Sequence, residues 1–292
     1  IIDLFTKLNK YLINNQHVII RSTVYPGTTD YIYNYFKKRN KKINVTFYPE
    51  RFVQGLAIEE FYKFPQIIGS ASKEAEKEAK KFLKKISKTE IIILKTMEAE
   101  LTKLFLNSYR YVQFSIANQF YKIADSNNLD YSKIDYAMNY KYQRGNVPSP
   151  GLTSGPCLFK DTMQLYAFAK NDFTLGMNAM TTNEGIVDYI IDKIKIDYDL
   201  SNSVVGILGM AFKAEVDDKR SSLSYKLKKM LLMYTTKVLT TDPYVKDDSE
   251  IVSLSKTLRD SDILILATPH KTYKKIKTNK KIVDIWNFFK SY

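Results

Sequence analysis

The sequence predicts an α/β fold: two parallel-sheet regions separated by a helical middle. Three observations predict it. Short β-branched runs alternate with helical periods across residues 17–96, and again across 203–286. That alternation implies parallel sheets covered by helices. Between them, residues 98–126 carry apolar residues at helical spacing with neither Gly nor Pro. They predict one helix of about eight turns.

The elements follow in order. Residues 1–14 have an amphipathic helical pattern. "HVIIRST" (17–23) is a strand ended by the turn "YPGTT", and "TDYIYNYFKKRN" (29–40) is a helix. "INVTFYPE" (43–50) is a second strand. "PQIIGS", "SKEAEKEAKKFLKKIS" and "EIIILKT" form a strand–helix–strand unit over 65–96, with Ser70 or Ser72 as helix cap. Helical signals run on from the long helix to about residue 142. The turn-rich stretch "RGNVPSPGLTSGP" (144–156) follows, then more helix from Lys160 to about Lys195. Strands return at 203–212, 237–243, 262–270 and 280–286, with a helix over 221–234. Ligands of open parallel sheets bind beyond the carboxyl ends of the strands. The segments "RST", "YPE", "GMAFK", "TDP" and "ATPH" fall at such ends.

Bulk properties exclude several classes. The 292 residues are 45% hydrophobic and 26% charged, ordinary for a globular protein. No apolar run approaches the roughly 20 residues of a membrane span, and no secretory signal is visible. A single cysteine makes no internal disulfide, which suggests a reducing, cytoplasmic setting. His17 and His270 are too far apart in sequence to show metal-ligand spacing, so no metal is expected. The net charge of +14 comes from lysines spread along the chain, with short clusters at 37–42 and 77–85. Solvated helix faces explain it better than a nucleic-acid surface.

Five segments then line up: "STVYPGTT" (22–29), "YPERFVQGLAIEEF" (48–61), "AELTKLFLN" (99–107), "SGPCLFKD" (154–161) and "LGMAFKAEVDDKRSS" (208–222). Together, in this order and spacing, they resemble the UDP-glucose/GDP-mannose dehydrogenase family of nucleotide-sugar 6-dehydrogenases. The resemblance implies two Rossmann-like parallel-sheet domains, the first truncated, joined by a long-helix central domain. The divisions are 1–96 (NAD-binding, its later part), 97–198 (helical, dimerising and catalytic) and 199–292 (UDP-binding).

The same resemblance implies a four-electron oxidation of a UDP-sugar by NAD, through a cysteine thiohemiacetal and thioester, to a uronic acid. Cys157 matches the nucleophile, a role that suits a thiol near neutral pH. Lys103 and Asn107, four apart and so on one helix face, match the oxyanion-stabilising pair. Asp161 matches an acid that orders water near the thiol. Glu50 matches the acid/base of thioester hydrolysis. Thr23 matches a water-ordering residue that, with Ser22, Lys160 and Arg220, contacts NAD. Phe212 and Lys213 match sugar-nucleotide contacts, and Arg144 an arginine reaching in from a partner subunit. The loop 150–156, with Gly151 and Gly155, would wrap the sugar. Ser154 stands where the family usually has the first of two adjacent glycines. Helix 98–126 matches the dimer core, which implies a homodimer.

One expected element is not found. The G-x-G-x-x-G turn that holds a dinucleotide pyrophosphate occurs nowhere in the chain. Its nearest relative, "GILGMAF", lies in the sugar-nucleotide half. The expectation is that Ile1 is not the biological start or that the gene is broken, that about 100 residues precede it in the family pattern, and that this chain alone is inactive. Two other readings stand beside the enzyme. One is an inactive paralogue that binds UDP-sugar or only dimerises. The other is a nucleic-acid-binding module, suggested by charge alone. The identity of the sugar, UDP-glucose or a UDP-N-acetylhexosamine, is open at this level.

Overall fold

The structure, a computed structural model, describes residues 1–290. The chain divides into two compact units, Ile1–Asn107 with Gln164–Asn171, and Ser108–Met163 with Asp172–Tyr292.

The first unit runs α1 (Ile2–Leu8), β1 (His17–Ile20), α2 (Thr28–Lys37), β2 (Asn44–Phe47), α3 (Ala57–Lys63), β3 (Gln66–Ser70), α4 (Lys73–Ile86) and β4 (Ile91–Leu94), then enters the long helix α5 (Thr96–Ser126). Its sheet has the order β1-β2-β3-β4. Helix α4 shows the local logic. Ala75, Ala79 and Leu83, four residues apart, are buried while its lysines face water. Of the two candidate caps, Ser72 takes the role, its hydroxyl accepting from the Ala75 amide at 3.1 Å. Ile32 and Phe36 of α2 pack with Ile20, Val45 and Phe47 of the sheet.

Two expectations are corrected here. The helix expected over 1–14 ends at Leu8, and Asn15 takes a left-handed φ of 68°. Asparagine tolerates that conformation and breaks helices with it. The sheet is also not wholly parallel. β1–β2 and β3–β4 are, but β2 and β3 run antiparallel, with Thr46 opposite Ser70 and Phe47 opposite Gly69. A parallel return needs a crossover packed on the sheet. The link between β2 and β3 has only α3, which buries none of its residues.

The second unit contains the rest of α5, then α6 (Tyr131–Asn139), the start of α7 (Leu158–Phe168), α8 (Thr174–Glu184), α9 (Ile186–Asp197), β5 (Val204–Leu208), α10 (Leu223–Leu231), β6 (Lys237–Thr241), α11 (Leu254–Asp260), β7 (Ile263–Leu266) and β8 (Ile282–Val283). Its four strands are all parallel, in the order β6-β5-β7-β8. The isoleucine- and valine-rich face of α9 (Ile186, Val187, Ile190, Ile191, Ile194) shares a core with Val205 and Ile207 of β5.

The helical signals expected to continue to about residue 142, and from Lys160 to about Lys195, are divided among several helices. Asn128, Lys170 and Asn171 take positive φ, and Gly185 separates α8 from α9. No helix among the described residues is long and apolar enough to cross a membrane.

The order β6-β5-β7 places a topological switch between β5 and β7, since the chain leaves β5 for one side and returns to the other. Ligands of such sheets bind at the carboxyl ends beside that switch. The segment 209–215 follows β5 there, and 267–271 follows β7.

Candidate functional site

In the first unit, neighbouring strand ends bring Ser22, Thr23 and Glu50 together. β1 and β2 are adjacent, and the Tyr48 amide donates to the Ile20 carbonyl at 2.8 Å. Ser22 is exposed and Thr23 half-buried just past β1. The Glu50 carboxylate lies 3.6 Å from the Arg21 guanidinium, which stacks over the Tyr48 ring at 4.6 Å. The Tyr48 hydroxyl donates to Gln66 at 2.5 Å. Burial pushes that hydroxyl up, against the pull of Arg21.

Lys103 and Asn107 sit one turn apart on α5, Lys103 half-buried and Asn107 buried. One turn earlier is Glu100, only 1% exposed. One carboxylate oxygen accepts from the Gly27 amide at 2.6 Å. The other accepts from the Thr29 amide at 2.8 Å and the Thr29 hydroxyl at 2.6 Å. Glu100 thereby supplies acceptors that the first turn of α2 lacks. Beside it, Thr96 donates to Asp30 at 2.8 Å. The helix carrying Lys103 and Asn107 is thus tied to the turn that follows Ser22 and Thr23.

In the second unit, Cys157 is exposed at the start of α7, its carbonyl accepting from the Asp161 amide at 2.9 Å. Asp161 is fully buried, and Lys160 reaches its carboxylate at 2.5 Å. Arg220 holds Asp218 through paired bonds of 3.0 and 2.7 Å. Those bonds and that charge raise the guanidinium above its ordinary value, and the nearby Cys157 adds to the effect. The loop before Cys157 is packed down at two glycines. Gly155 has φ +107°, and a Cβ there would lie 2.5 Å from the Phe212 ring. Its amide donates to the Ser221 carbonyl at 3.2 Å. A Cβ on Gly151 would lie 2.3 Å from the Trp286 ring. Only glycine allows these approaches. Cys157, Gly155, Phe212 and Arg220 therefore share one neighbourhood, with Lys213 next along the chain. Arg144 lies exposed in the preceding segment, over the Tyr142 ring at 5.3 Å.

Sequence reasoning missed three polar groups that hold these pieces. Glu100 is the first. Asn118 is the second: fully buried, it accepts from the Gly151 amide at 2.8 Å and donates to Asn183 at 2.9 Å. Asn183 in turn donates to the Tyr111 carbonyl at 3.1 Å. The signal was available, because residues 100, 104, 107, 111, 115 and 118 form one buried stripe along α5. Glu100 and Asn118 are polar residues on that stripe. The third group is Asp242 with His270, at the carboxyl ends of β6 and β7.

Three models of one family match the chain. The NAD binding domain of the UDP-glucose/GDP-mannose dehydrogenase family matches residues 1–112, its central domain 97–185 and its UDP binding domain 206–291. The chain belongs to the UDP-glucose/GDP-mannose dehydrogenase family. The UDP-N-acetyl-D-mannosamine dehydrogenase of Methanocaldococcus jannaschii is 31% identical over 270 residues, which are 91% of this chain and 62% of that protein. The chain thus spans less than two thirds of that relative's length. The UDP-glucose 6-dehydrogenase of Rickettsia bellii is 26% identical over 98% of this chain and 72% of its own length. The solved structure of the UDP-D-ManNAc dehydrogenase from Pyrococcus horikoshii is 27% identical with a TM-score of 0.90, covering 99% of this chain and 73% of that one. Within this family the five segments that carry the resemblance, residues 22–29 through 208–222, fall inside the matched domains.

Proposed function

We propose that this chain carries the catalytic and sugar-nucleotide-binding parts of an NAD-dependent UDP-sugar 6-dehydrogenase, in the three-domain layout 1–96, 97–198 and 199–292. The observation that carries the reading is Cys157, exposed at the head of α7, with buried Asp161 one turn on and the glycine loop packed against Phe212. The sugar proposed first is UDP-N-acetylmannosamine, with UDP-glucose second, on the names of the relatives.

The chemistry assigned to these residues balances as follows. The sugar CH2OH, two NAD+ and water give a carboxylate, two NADH and three protons. The cofactor, when bound, accepts a hydride from C6 in each oxidation. The Cys157 thiolate adds to the C6 aldehyde, and the resulting oxyanion is stabilised by the Lys103 ammonium and the Asn107 amide. After the second oxidation the thioester is cleaved by water. Asp161 orders that water, and Glu50 moves its proton. The thiol is released unchanged. Phe212, Lys213, Gly151 and Gly155 hold the sugar nucleotide, and a cation at Lys213 suits a diphosphate.

The residues fit a dinucleotide in part. Ser22 and Thr23 sit at a strand end where such ligands bind, and Lys160 and Arg220 supply positive charge. The Gly27 and Thr29 amides at the start of α2 do not serve its pyrophosphate, because both donate to Glu100.

The protein is proposed to act as a homodimer, with Arg144 serving the partner's site. Phe105, Tyr109, Ile116, Phe120 and Ile123 form a second stripe on α5, each at least 40% exposed. A helix face this apolar is a docking surface, and a second copy would cover it by symmetry.

The test is NADH formation with a panel of UDP-sugars, using protein purified with any coding sequence upstream of Ile1 included, because residues 1–292 alone are expected to be inactive. Two NADH per sugar are expected with one of them, and Cys157→Ser should lower the rate by about a thousandfold or more. UDP-sugar binding without any NADH, for every sugar, would exclude the dehydrogenase reading.

A further inference from the structure

The mechanism above uses no histidine, yet His270 is completely buried at the carboxyl end of β7, against an equally buried carboxylate. That carboxylate, Asp242, ends β6. One of its oxygens accepts from the Met210 amide at 2.6 Å and the Ala211 amide at 2.9 Å, and lies 3.1 Å from His270 Nε2. The other accepts from the amides of Tyr244 and Val245 at 2.8 and 3.0 Å. His270 Nδ1 accepts from the Glu215 amide at 3.0 Å. Since Nδ1 accepts, the hydrogen of the neutral ring sits on Nε2 and is donated to Asp242.

These bonds have a common effect. The segment 210–215 is gripped at both ends, at residues 210 and 211 by Asp242, and at residue 215 by His270. The Glu215 side chain adds to the second grip, accepting from the Lys271 amide at 2.8 Å and from the Tyr244 hydroxyl at 3.1 Å. Glu215 is held at a left-handed φ of 62°, a conformation that needs outside support. Between the two grips lie Phe212 and Lys213. The rings of Tyr244 and Tyr273 flank His270 at 5.0 and 5.6 Å, and the imidazole and the Asp242 carboxylate are both closed off from solvent. A buried network satisfied at every atom specifies one geometry.

We propose that Asp242 and His270 are positioning residues for the nucleotide diphosphate: they fix the turn that presents Phe212 and Lys213. The inference rests on the sugar-nucleotide reading of that turn. Neither residue touches the ligand. Asp242, walled in by amides and His270, has no face left for a ribose or phosphate.

Titration of the intact protein with UDP, followed by calorimetry, tests the proposal. His270→Ala removes both ring contacts and should weaken UDP binding by about tenfold or more. His270→Asn places an amide oxygen near the position of Nδ1, restores the bond to the Glu215 amide, and should recover most of the affinity. In a Lys213→Ala background, His270→Ala should cost little further, because the contact it positions is gone. Equal UDP affinity in the parent and His270→Ala would overturn the proposal and leave the sugar-nucleotide reading intact. So would a loss in His270→Ala that is undiminished in the Lys213→Ala background, or a His270→Asn variant that folds but binds no better than His270→Ala. A parent protein that binds neither UDP nor a UDP-sugar would overturn both.

Discussion

Replacing Glu100 with glutamine tests the tie between α5 and the turn after β1. The carboxylate accepts three hydrogen bonds, two on one oxygen from Thr29 and one on the other from Gly27. Glutamine keeps one oxygen. The best orientation keeps it on Thr29 and turns an NH2 group toward the Gly27 amide, so two donors face each other. An unpaired, largely buried amide costs about 1–3 kcal/mol. The two surviving bonds lose their charge assistance, which makes an ionic bond roughly twice as strong as a neutral one. Loss of negative charge at a helix N-terminus costs a further ~0.5 kcal/mol. The sum is about 3 kcal/mol, or about a hundredfold in a local opening equilibrium. The assay is amide hydrogen exchange read at Gly27 and Thr29. Exchange there should rise by about that factor, while the strands of the same unit, anchored by Ile20, Val45 and Phe47, change far less. Exchange within threefold of the parent at both amides would refute the assignment. A uniform rise across the unit would show general destabilisation instead of a released helix end.

Three further outcomes are expected. Gly155→Ala forces a side chain into the left-handed region and against Phe212, at a cost of about 1–3 kcal/mol, and should weaken UDP binding in titration calorimetry. Asn118→Ala leaves the Gly151 amide and the Asn183 Oδ1 without their partner, about 1–3 kcal/mol apiece, and should speed proteolytic cleavage within 144–156. The third concerns acid. Burial alone would raise the Asp242 carboxyl, but His270 and the backbone amides outweigh it and hold the group well below the usual carboxylate range. A carboxyl depressed in the folded state contributes stability that is full above its unfolded value, about 3.9, and is lost as pH falls below it. Urea midpoints read from Trp286, the single tryptophan, should therefore drop between pH 7 and pH 3, and the drop should be smaller in Asp242→Asn.

Much of this layout was legible because it is local. Ala75, Ala79 and Leu83 announce α4, and an uninterrupted apolar period announces α5. The family pattern was legible because five short segments keep their order. What stayed hidden is set by partners far away in the chain. Strand direction at β3 depends on whether the link after β2 packs as a crossover, and α3 does not. Asn128 and Asn171 break helices with left-handed φ values, but Asn107 and Asn118 sit inside α5, so asparagine alone does not mark a break. Glu100 looks like an ordinary helix carboxylate until Gly27 and Thr29, 73 and 71 positions away, are folded against it. Asp242 looks like a strand-end ligand group until His270, 28 positions on, closes over it. A buried polar residue is costly unless paired, so its role is visible only when the pair is.

Glu100 and Asp242 also answer how two sheets of this kind can meet phosphates. Helix N-termini and strand-end turns gather free amides, and in doubly wound folds those amides attract anions. Here the amides of Gly27 and Thr29 are filled by Glu100, and those of Met210, Ala211, Tyr244 and Val245 by Asp242. An internal carboxylate at such a turn both occupies the donors and repels a phosphate placed beside it. The backbone at these turns is therefore committed to shape. Positive charge for a diphosphate has to come from side chains standing next to the filled turns, and Lys213 stands one residue beyond Phe212 on the turn that Asp242 and His270 fix. On this account Lys213→Ala should lower UDP affinity and flatten its dependence on salt, because a side-chain cation is screened where a backbone amide is not. Unchanged salt dependence in that variant would return the diphosphate to the backbone and undo the argument.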